Sequence, residues 1–321
     1  MRRLPAIVVM IIVGLSGLLP GHALAAPPPK GRPLTSQDIL KWINGYRTKR
    51  EPQRLAESVR AMSGIGIFKD LEANGVYIGF IAGVLSDNPD KAEAMIAKMF
   101  PMPPEDQVAI IRAIAYSGLP DWKSLLEKFV ERMPARTVLI QRHLADKAPT
   151  LATLPLDQSP AALDTLWGFY FATGRFVTVD RIIGVLAWSR DANNYEKLTL
   201  GSMAKWTLAN NAQQDKDLLD HMKIEVNRRP KDISRELREE IEAAETFETS
   251  KIRREALNAI EELKRKGPES TRKLTWWGQM GQTALAVGCV AASALGHPEI
   301  GIPCVVGGAV SSAALKAITP Q

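Results

Sequence analysis

The sequence predicts a mostly α-helical protein. It is expected to be either a solenoid-like repeat of α-helical hairpins or a helical bundle, with a Gly/Ala-rich helical hairpin at the C-terminus. Apolar residues recur at helical spacing through much of residues 35–267. Strand signals are limited to short runs such as Thr137–Ile140, which no hairpin turn pairs with a second strand. The chain has 321 residues, 45% of them hydrophobic and 24% charged, which excludes a collagen-like, disulfide-dense or wholly disordered protein.

Residues 1–25 have the pattern of a signal peptide. Arg2 and Arg3 precede an apolar run, and Ala23–Ala25 has the A-x-A pattern of a cleavage site. An uncleaved N-terminal anchor is the alternative. Residues 26–34 are rich in proline and predict an extended linker. We therefore expect an exported protein, periplasmic or membrane-associated in the bacterial cell envelope, where disulfides can persist.

Residues 35–230 are predicted to form a domain of α-helical hairpins. In four segments, two apolar-periodic halves flank a break of turn-forming residues. These segments are Tyr77–Phe100, Val108–Val130, Leu163–Leu186 and Leu200–Lys223. The segments start 31, 55 and 37 residues apart, and two of these three spacings are close to the period of roughly 34 residues of helix-turn-helix arrays. The longer gap has room for an extra helix and a loop. At the start of the domain, Thr35 and Asp38 resemble a capping box.

The third of these segments contains a short sequence motif. The run Trp167–Phe176, WGFYFATGRF, resembles the tetratricopeptide family, in which an apolar–Gly pair precedes an aromatic residue and a turn. The turn in this sequence is about one residue shorter than the turn in that family. Asp180 or a neighbour stands where the family has an alanine in the second helix. The resemblance covers at most residues 77–223 and implies an α-solenoid with a protein- or peptide-binding surface. A plain helical bundle is the alternative. Gly168 aligns with Ala82 of the first unit, and small residues there predict close helix packing.

Residues 231–267 are predicted to form a long charged helix. Between Lys231 and Lys266 there are nine basic and ten acidic residues, and the apolar residues keep helical spacing. Gly267 and Pro268 end the pattern. We expect a solvated helix that packs one narrow face on the body of the protein, with a coiled-coil or partner helix as the alternative.

Residues 274–318 are predicted to form an apolar hairpin around a turn at 296–298. Its first stretch, 274–295, has no charged residue across 22 positions, which is long enough for a membrane span, although its hydrophobicity is weak. A membrane hairpin or single span, a soluble hairpin and a self-association or membrane-active element all remain open. Cys289 and Cys304 lie symmetrically about the turn, so a disulfide between them is expected, with two free thiols as the alternative.

The sequence lacks the motifs of several metal-binding, nucleotide-binding and hydrolase sites. His143, His221 and His297 are far apart and form no metal-ligand motif. The sequence contains no P-loop, no G-x-G-x-x-G and no G-x-S-x-G. No cofactor or metal is therefore predicted, and a formal charge of +6 is too small to indicate a nucleic-acid partner. Paired carboxylates for glycoside hydrolysis remain open, because sequence spacing does not fix their separation in space.

We therefore expect an exported envelope protein that acts as a scaffold or adaptor and binds another envelope protein through stacked helical hairpins. The residues favour a non-enzymatic role. One alternative is an envelope polysaccharide hydrolase built on a helical superhelix, which a pocket with two converging carboxylates would favour. Another is a membrane-anchored structural subunit that assembles through residues 274–318.

Overall fold

The computed structural model describes residues 34–69 and 74–246, and within these ranges it contains twelve α-helices and no strand. The predicted mostly helical fold is confirmed. Several predicted features lie outside the described residues: the signal peptide, all of the linker except Leu34, the charged helix beyond Thr246, the apolar hairpin at 274–318 and the pair Cys289 and Cys304. They stay predictions of the sequence.

The α-helices are short, except for α8, α10 and α12. In chain order they are α1 Ser36–Gly45, α2 Leu55–Gly64, α3 Gly75–Ser86, α4 Pro89–Ala97, α5 Gln107–Tyr116, α6 Trp122–Glu127, α7 Thr137–Leu144, α8 Pro160–Thr173, α9 Val177–Ile183, α10 Tyr195–Ala212, α11 Lys216–Glu225 and α12 Lys231–Glu245. Short 3-10 turns lie at Pro52–Arg54, Ile67–Lys69, Val130–Arg132, Pro134–Arg136 and Leu186–Arg190.

The helix boundaries follow local sequence signals. Thr35 caps α1 as predicted: its hydroxyl accepts from the Asp38 amide at 3.2 Å, while the Asp38 carboxylate accepts from the Thr35 amide at 2.9 Å. Three of the four predicted breaks lie where one helix gives way to the next, namely α3 and α4, α5 and α6, and α8 and α9. The fourth prediction, a break at residues 209–212, is wrong: these residues are the last turn of α10, and α11 begins only at Lys216. The helices of each pair contact one another. Gly174 ends α8 at φ +72°, a backbone conformation that favours glycine.

The most extensive helix contact joins α3 and α8, which are far apart in the chain. Gly75, Gly79 and Gly83 recur every fourth residue, so they lie on one face of α3. A side chain at Gly79 would overlap the carbonyl oxygen of Thr165, and one at Gly168 would overlap that of Val76. The two backbones are therefore in direct contact, as the small residue at Gly168 predicted.

Both helices of this pair lie in the centre of the described fold. All residues of α3 except Ser86 are buried, as are most residues of α8. Helix α1 packs on this pair through rings: the centroids of Trp42, Tyr46 and Phe80 are 5.0–5.7 Å apart. Trp167 is fully buried and donates to Thr207 on α10 at 3.0 Å. The pair thus joins the N-terminal helices to the C-terminal ones.

Helix α12 packs on α10 and α11, and the buried part of this contact includes both apolar and charged residues of α12. Leu237 and Ala244 are buried, and Ile233 and Ile241 are partly buried against the same core. The predicted charged helix continues beyond Thr246, outside the described residues, so its narrow packing face stays a prediction. Among the helices in residues 34–69 and 74–246, none combines the length and the hydropathy that crossing a membrane requires.

The contact between α3 and α8 yields a stability prediction. Gly79→Ala is expected to lower the free energy of unfolding by about 3 kcal/mol, because the added methyl group forces the two backbones apart. Urea unfolding measures the effect. Gly45→Ala is the matched control: this glycine ends α1, and no atom lies within 4 Å of an added Cβ. The control should be neutral or gain about 0.5 kcal/mol. Equal effects of the two substitutions would contradict the direct backbone contact.

Candidate functional site

A cleft of about 460 Å³ opens where α1, α8, α10 and α11 meet. The residues that line it are mostly amides and charged groups, with one hydroxyl and one aromatic ring. They are Asn44, Arg47, Thr48, Phe171, Asn211, Gln214, Asp215, Lys216 and Asp217. The cleft is therefore polar, and its side chains come from segments that are distant in the sequence.

Arg47, just after α1, is the centre of the cleft's hydrogen-bond network. Its Nη1 donates to the Asp215 carboxylate and, at 2.9 Å, to the Tyr170 hydroxyl. The guanidinium carbon lies 4.8 Å from the centre of the Tyr170 ring. Gly174 leaves room for this arginine, since a Cβ there would lie 3.1 Å from Nε of Arg47. Arg47 is thus held in one position by groups from two other elements.

The Asp215 carboxylate accepts hydrogen bonds from three groups. It accepts from Arg47 and from the Tyr170 hydroxyl, the latter at 2.8 Å. It also caps α11 by accepting from the Leu218 amide at 3.2 Å. Burial and the Asp215 carboxylate raise the pKa of Tyr170, so its hydroxyl stays protonated and continues to donate. Burial acts to lower the pKa of Arg47, but Tyr170 and Asp215 raise it overall, so the guanidinium stays charged.

Asn211, near the end of α10, has an unused donor. Its side chain is only 8% exposed, and its Nδ2 has no hydrogen-bond partner in the part of the chain that the structure describes. Burying an unpaired amide costs free energy. Asn211 lines the cleft, but its Nδ2 is enclosed by the protein, so an acceptor on a bound molecule would satisfy this atom only after the side chain turns.

The cleft does not have the geometry expected of a hydrolase. Two carboxylates line it, but Asp215 is bonded to Arg47 and Tyr170, and Asp217 points to solvent with 76% of its side chain exposed. An acid and base pair needs one carboxyl that can donate a proton and one that can accept it. In this cleft the two carboxylates do not converge on a shared space, because Asp215 is tied to Arg47 and Tyr170 while Asp217 faces solvent.

A second cluster of charges lies between α10 and α12. Lys205 is 2.8 Å from Glu236, 2.9 Å from Glu239 and 3.5 Å from Glu240. Arg190 also donates to Glu236. Burial raises the pKa of Glu236, but the donors Arg190 and Lys205 outweigh it, so the pKa is lowered overall.

The pKa of Glu240, in the same cluster, is shifted in the opposite direction. Its side chain is fully buried, and neither carboxylate oxygen has a hydrogen-bond partner among the described residues. Burial therefore raises its pKa well above the ordinary value, although Lys205 opposes this. The two glutamates resemble an acid and base pair in their pKa shifts. Both are fully buried at a helix contact, where no substrate could reach them.

Asp180, His221 and Glu225 lie close enough to hold a metal ion, with ligand atoms within 4.8 Å of one another. Arg229 already bridges the two carboxylates, at 2.8 Å from Asp180 and 2.6 Å from Glu225. His221 donates to or accepts from Asp180 at 2.9 Å and stacks on Phe176. The guanidinium supplies the positive charge that a cation would bring, so we assign these residues to the contact between α9 and α11.

The other histidine within the described ranges, His143, is buried beside the edge of Trp122. Burial, with repulsion from Arg112 and Arg142, lowers the pKa of His143 to about 4. It is therefore neutral near pH 7. Neither His143 nor His221 lines the cleft, and His297 lies outside the described residues.

Sequence reasoning did not find the residues of the cleft. Asn211 was recognised only as part of a helix break, and the capping role of Asp215 is readable from its position before an apolar-periodic segment. Arg47 and Tyr170 have no signal, because 123 positions separate them and only the tertiary fold brings them together.

Comparisons of the chain with protein-family models, with curated proteins and with solved structures give no match. The similarity to the tetratricopeptide family therefore rests on the motif at Trp167–Phe176 alone.

The opposite pKa shifts in the α10–α12 cluster predict opposite effects of two isosteric substitutions. Glu240→Gln should stabilise the protein, because a neutral amide avoids the cost of a buried carboxylate. Because the pKa of Glu240 is raised in the folded state, this group contributes to the free energy of unfolding below pH 4.5, its ordinary pKa. That contribution is lost as the pH rises. The advantage of Glu240→Gln should therefore be small near pH 4 and grow toward pH 8 in urea unfolding.

Glu236→Gln is the matched comparison. Because the pKa of Glu236 is lowered in the folded state, ionised Glu236 stabilises the protein above pH 4.5. This stabilisation is lost as the pH falls through the pKa that Glu236 has in the folded protein. We expect a loss of about 3 kcal/mol near neutral pH, since Lys205, whose side chain is 12% exposed, loses a fully buried charged partner. The half-exposed Arg190 loses the same partner and adds less. The loss should shrink in acid. The same sign of effect for both substitutions would refute this account of the cluster.

Proposed function

We propose that this protein is an exported adaptor of the cell envelope that binds a segment of another protein in the polar cleft. The observation that carries the proposal is the combination of a rigidly held Arg47 with the buried, unpaired amide of Asn211 on the same cleft. Pre-positioned polar groups with unused bonding capacity are typical of binding sites. The signal peptide pattern of residues 1–25 supports export.

The lining of the cleft suits a peptide. Its formal charges balance, with Arg47 and Lys216 against Asp215 and Asp217, so no strongly charged polymer is favoured. Side-chain amides offer both donors and acceptors, which matches the alternating C=O and N–H groups of an extended backbone. Phe171 adds one apolar surface, partly buried and stacked on Trp167 with ring centroids 5.8 Å apart. A short extended segment would use all of these groups.

We further propose that the helix pairs are repeated units and that α3 and α8 form their shared centre. Four pairs of consecutive helices in contact support this arrangement. The first helix of the first unit packs directly on the first helix of the third, so the units do not simply follow one another in chain order. The cleft lies at one end of this centre, where α8 meets α1 and the turn between α10 and α11.

Site-specific photo-crosslinking tests the adaptor proposal. A photoreactive residue replaces Thr48, which is exposed at the cleft, or Val138, which is 78% exposed on α7 and does not line it. In the native envelope we expect a discrete adduct with another protein from position 48 and not from 138. Adding Arg47→Gln should reduce that adduct about tenfold or more, because a charged hydrogen-bond donor is lost.

Arg132→Gln is the matched control, since this arginine is exposed and donates to a backbone carbonyl away from the cleft. The adduct should survive that substitution. Thermal unfolding of both variants checks that the fold is intact. Adducts that are absent from position 48, or identical from both positions, would argue against a protein-binding cleft.

A further inference from the structure

We infer that the segment bound in the cleft presents one carboxylate, which takes the place of Asp217 beside Arg47. This inference rests on the proposed function, since it names the chemistry of the partner at the same site. Asp217 is then an internal occupant of the ligand position. Three features of the cleft carry the argument.

The first feature is the contrast between the two acidic partners of Arg47. Asp215 is held by Arg47, by the Tyr170 hydroxyl at 2.8 Å and by the Leu218 amide at 3.2 Å. Among the described residues, Asp217 is bonded only to Arg47 Nη2, at 3.4 Å, and its side chain is 76% exposed. Long, exposed ion pairs are worth little. Asp217 can therefore leave, while Asp215 keeps Arg47 in position.

The second feature is the set of donors that an incoming carboxylate would meet. Nη2 of Arg47 becomes available when Asp217 turns away, and Asn211 Nδ2 has no partner among the described residues. The cleft also includes the start of α11, at Lys216. The N–H groups of a first helical turn lack intrahelical acceptors and favour negative charge. One oxygen of a carboxylate would accept from Nη2 of Arg47, and the other would accept from Asn211 Nδ2 once that side chain turns toward it.

The third feature is the charge balance. With Asp217 turned out to solvent, Arg47 and Lys216 face Asp215, which leaves one net positive charge in the cleft. A monoanion neutralises that charge, whereas a phosphate dianion would leave the cleft with a net negative charge. Lys216 also pairs with Asp220, but its side chain is 84% exposed, so this surface pair does not tie it down.

Selection from random hexapeptides tests the inference with the full mature chain. One library is acetylated and amidated, so that only Asp and Glu side chains supply a carboxylate. A second library has a free C-terminal carboxylate and contains no Asp or Glu. We expect bound peptides from at least one library, and the library that yields them identifies the source as a side chain or a chain end. Affinities are measured by fluorescence anisotropy.

Two changes should then move the affinity in opposite directions. Replacing the peptide carboxylate by its amide should weaken binding about tenfold, because a charged hydrogen bond is lost. Asp217→Asn in the protein should tighten binding about two- to fivefold, the range of an exposed ion pair, because the internal competitor is removed. Asp232→Asn is the matched control: this exposed aspartate also lies in a first helical turn, that of α12, and does not line the cleft.

The outcomes separate the two proposals. If peptides bind and Arg47→Gln abolishes binding, but neither their carboxylate nor Asp217 matters, the inference is overturned and the adaptor proposal stands. If no peptide binds, or if binding is indifferent to Arg47→Gln, both are overturned. Tighter binding in Asp217→Asn but not in Asp232→Asn, together with loss of binding by the amide peptide, is the result that we expect.

Discussion

The direct backbone contact between α3 and α8 is the constraint from which the rest of the described structure follows. Glycines on α3 and Gly168 on α8 remove the side chains that would hold the helices apart, so each helix presents carbonyl groups to the other. Once that distance is fixed, Phe80 of α3 supports the rings of α1, and the end of α8 places Tyr170 under Arg47. The cleft is therefore positioned by the most buried part of the protein, although its own residues are polar and partly exposed.

The two polar clusters show how local geometry decides the state of chemically identical groups. Glu236 and Glu240 are one helical turn apart and equally buried, and both lie near Lys205. Glu236 receives short hydrogen bonds from two cations and keeps a lowered pKa, while Glu240 receives none and has a raised one. In the cleft, the number of hydrogen bonds likewise distinguishes Asp215, which accepts from Arg47, Tyr170 and the Leu218 amide, from Asp217, which has one long bond to Arg47. A carboxylate that is fully bonded is a structural element, and a loosely bonded one can exchange partners.

Part of this organisation could be predicted from the sequence, and the reason for the rest is physical. Apolar periodicity and turn residues are local signals, so three of the four helix breaks and the cap at Thr35 were predicted. The break expected at 209–212 is instead helical, because α10 continues to Ala212. The weak strand run Thr137–Ile140 is part of α7 instead, because a run of four residues does not distinguish the two periods. The cleft depends on residues that meet only through the α3–α8 contact, and no spacing rule connects Arg47 with Asp215.

The glycines of α3 were a signal in the sequence that repeat reasoning passed over. Gly75, Gly79 and Gly83 recur every four residues in an otherwise apolar segment, which on a helix produces one smooth stripe. Alignment of the predicted hairpins identifies the breaks between helices of one unit. The glycine stripe instead identifies a contact between helices of different units. That contact explains why the cleft is built from α1, α8 and the α10–α11 turn rather than from successive hairpins. A binding surface in this fold is therefore to be sought at the ends of the central helix pair, where buried backbone contacts hold polar side chains in fixed positions.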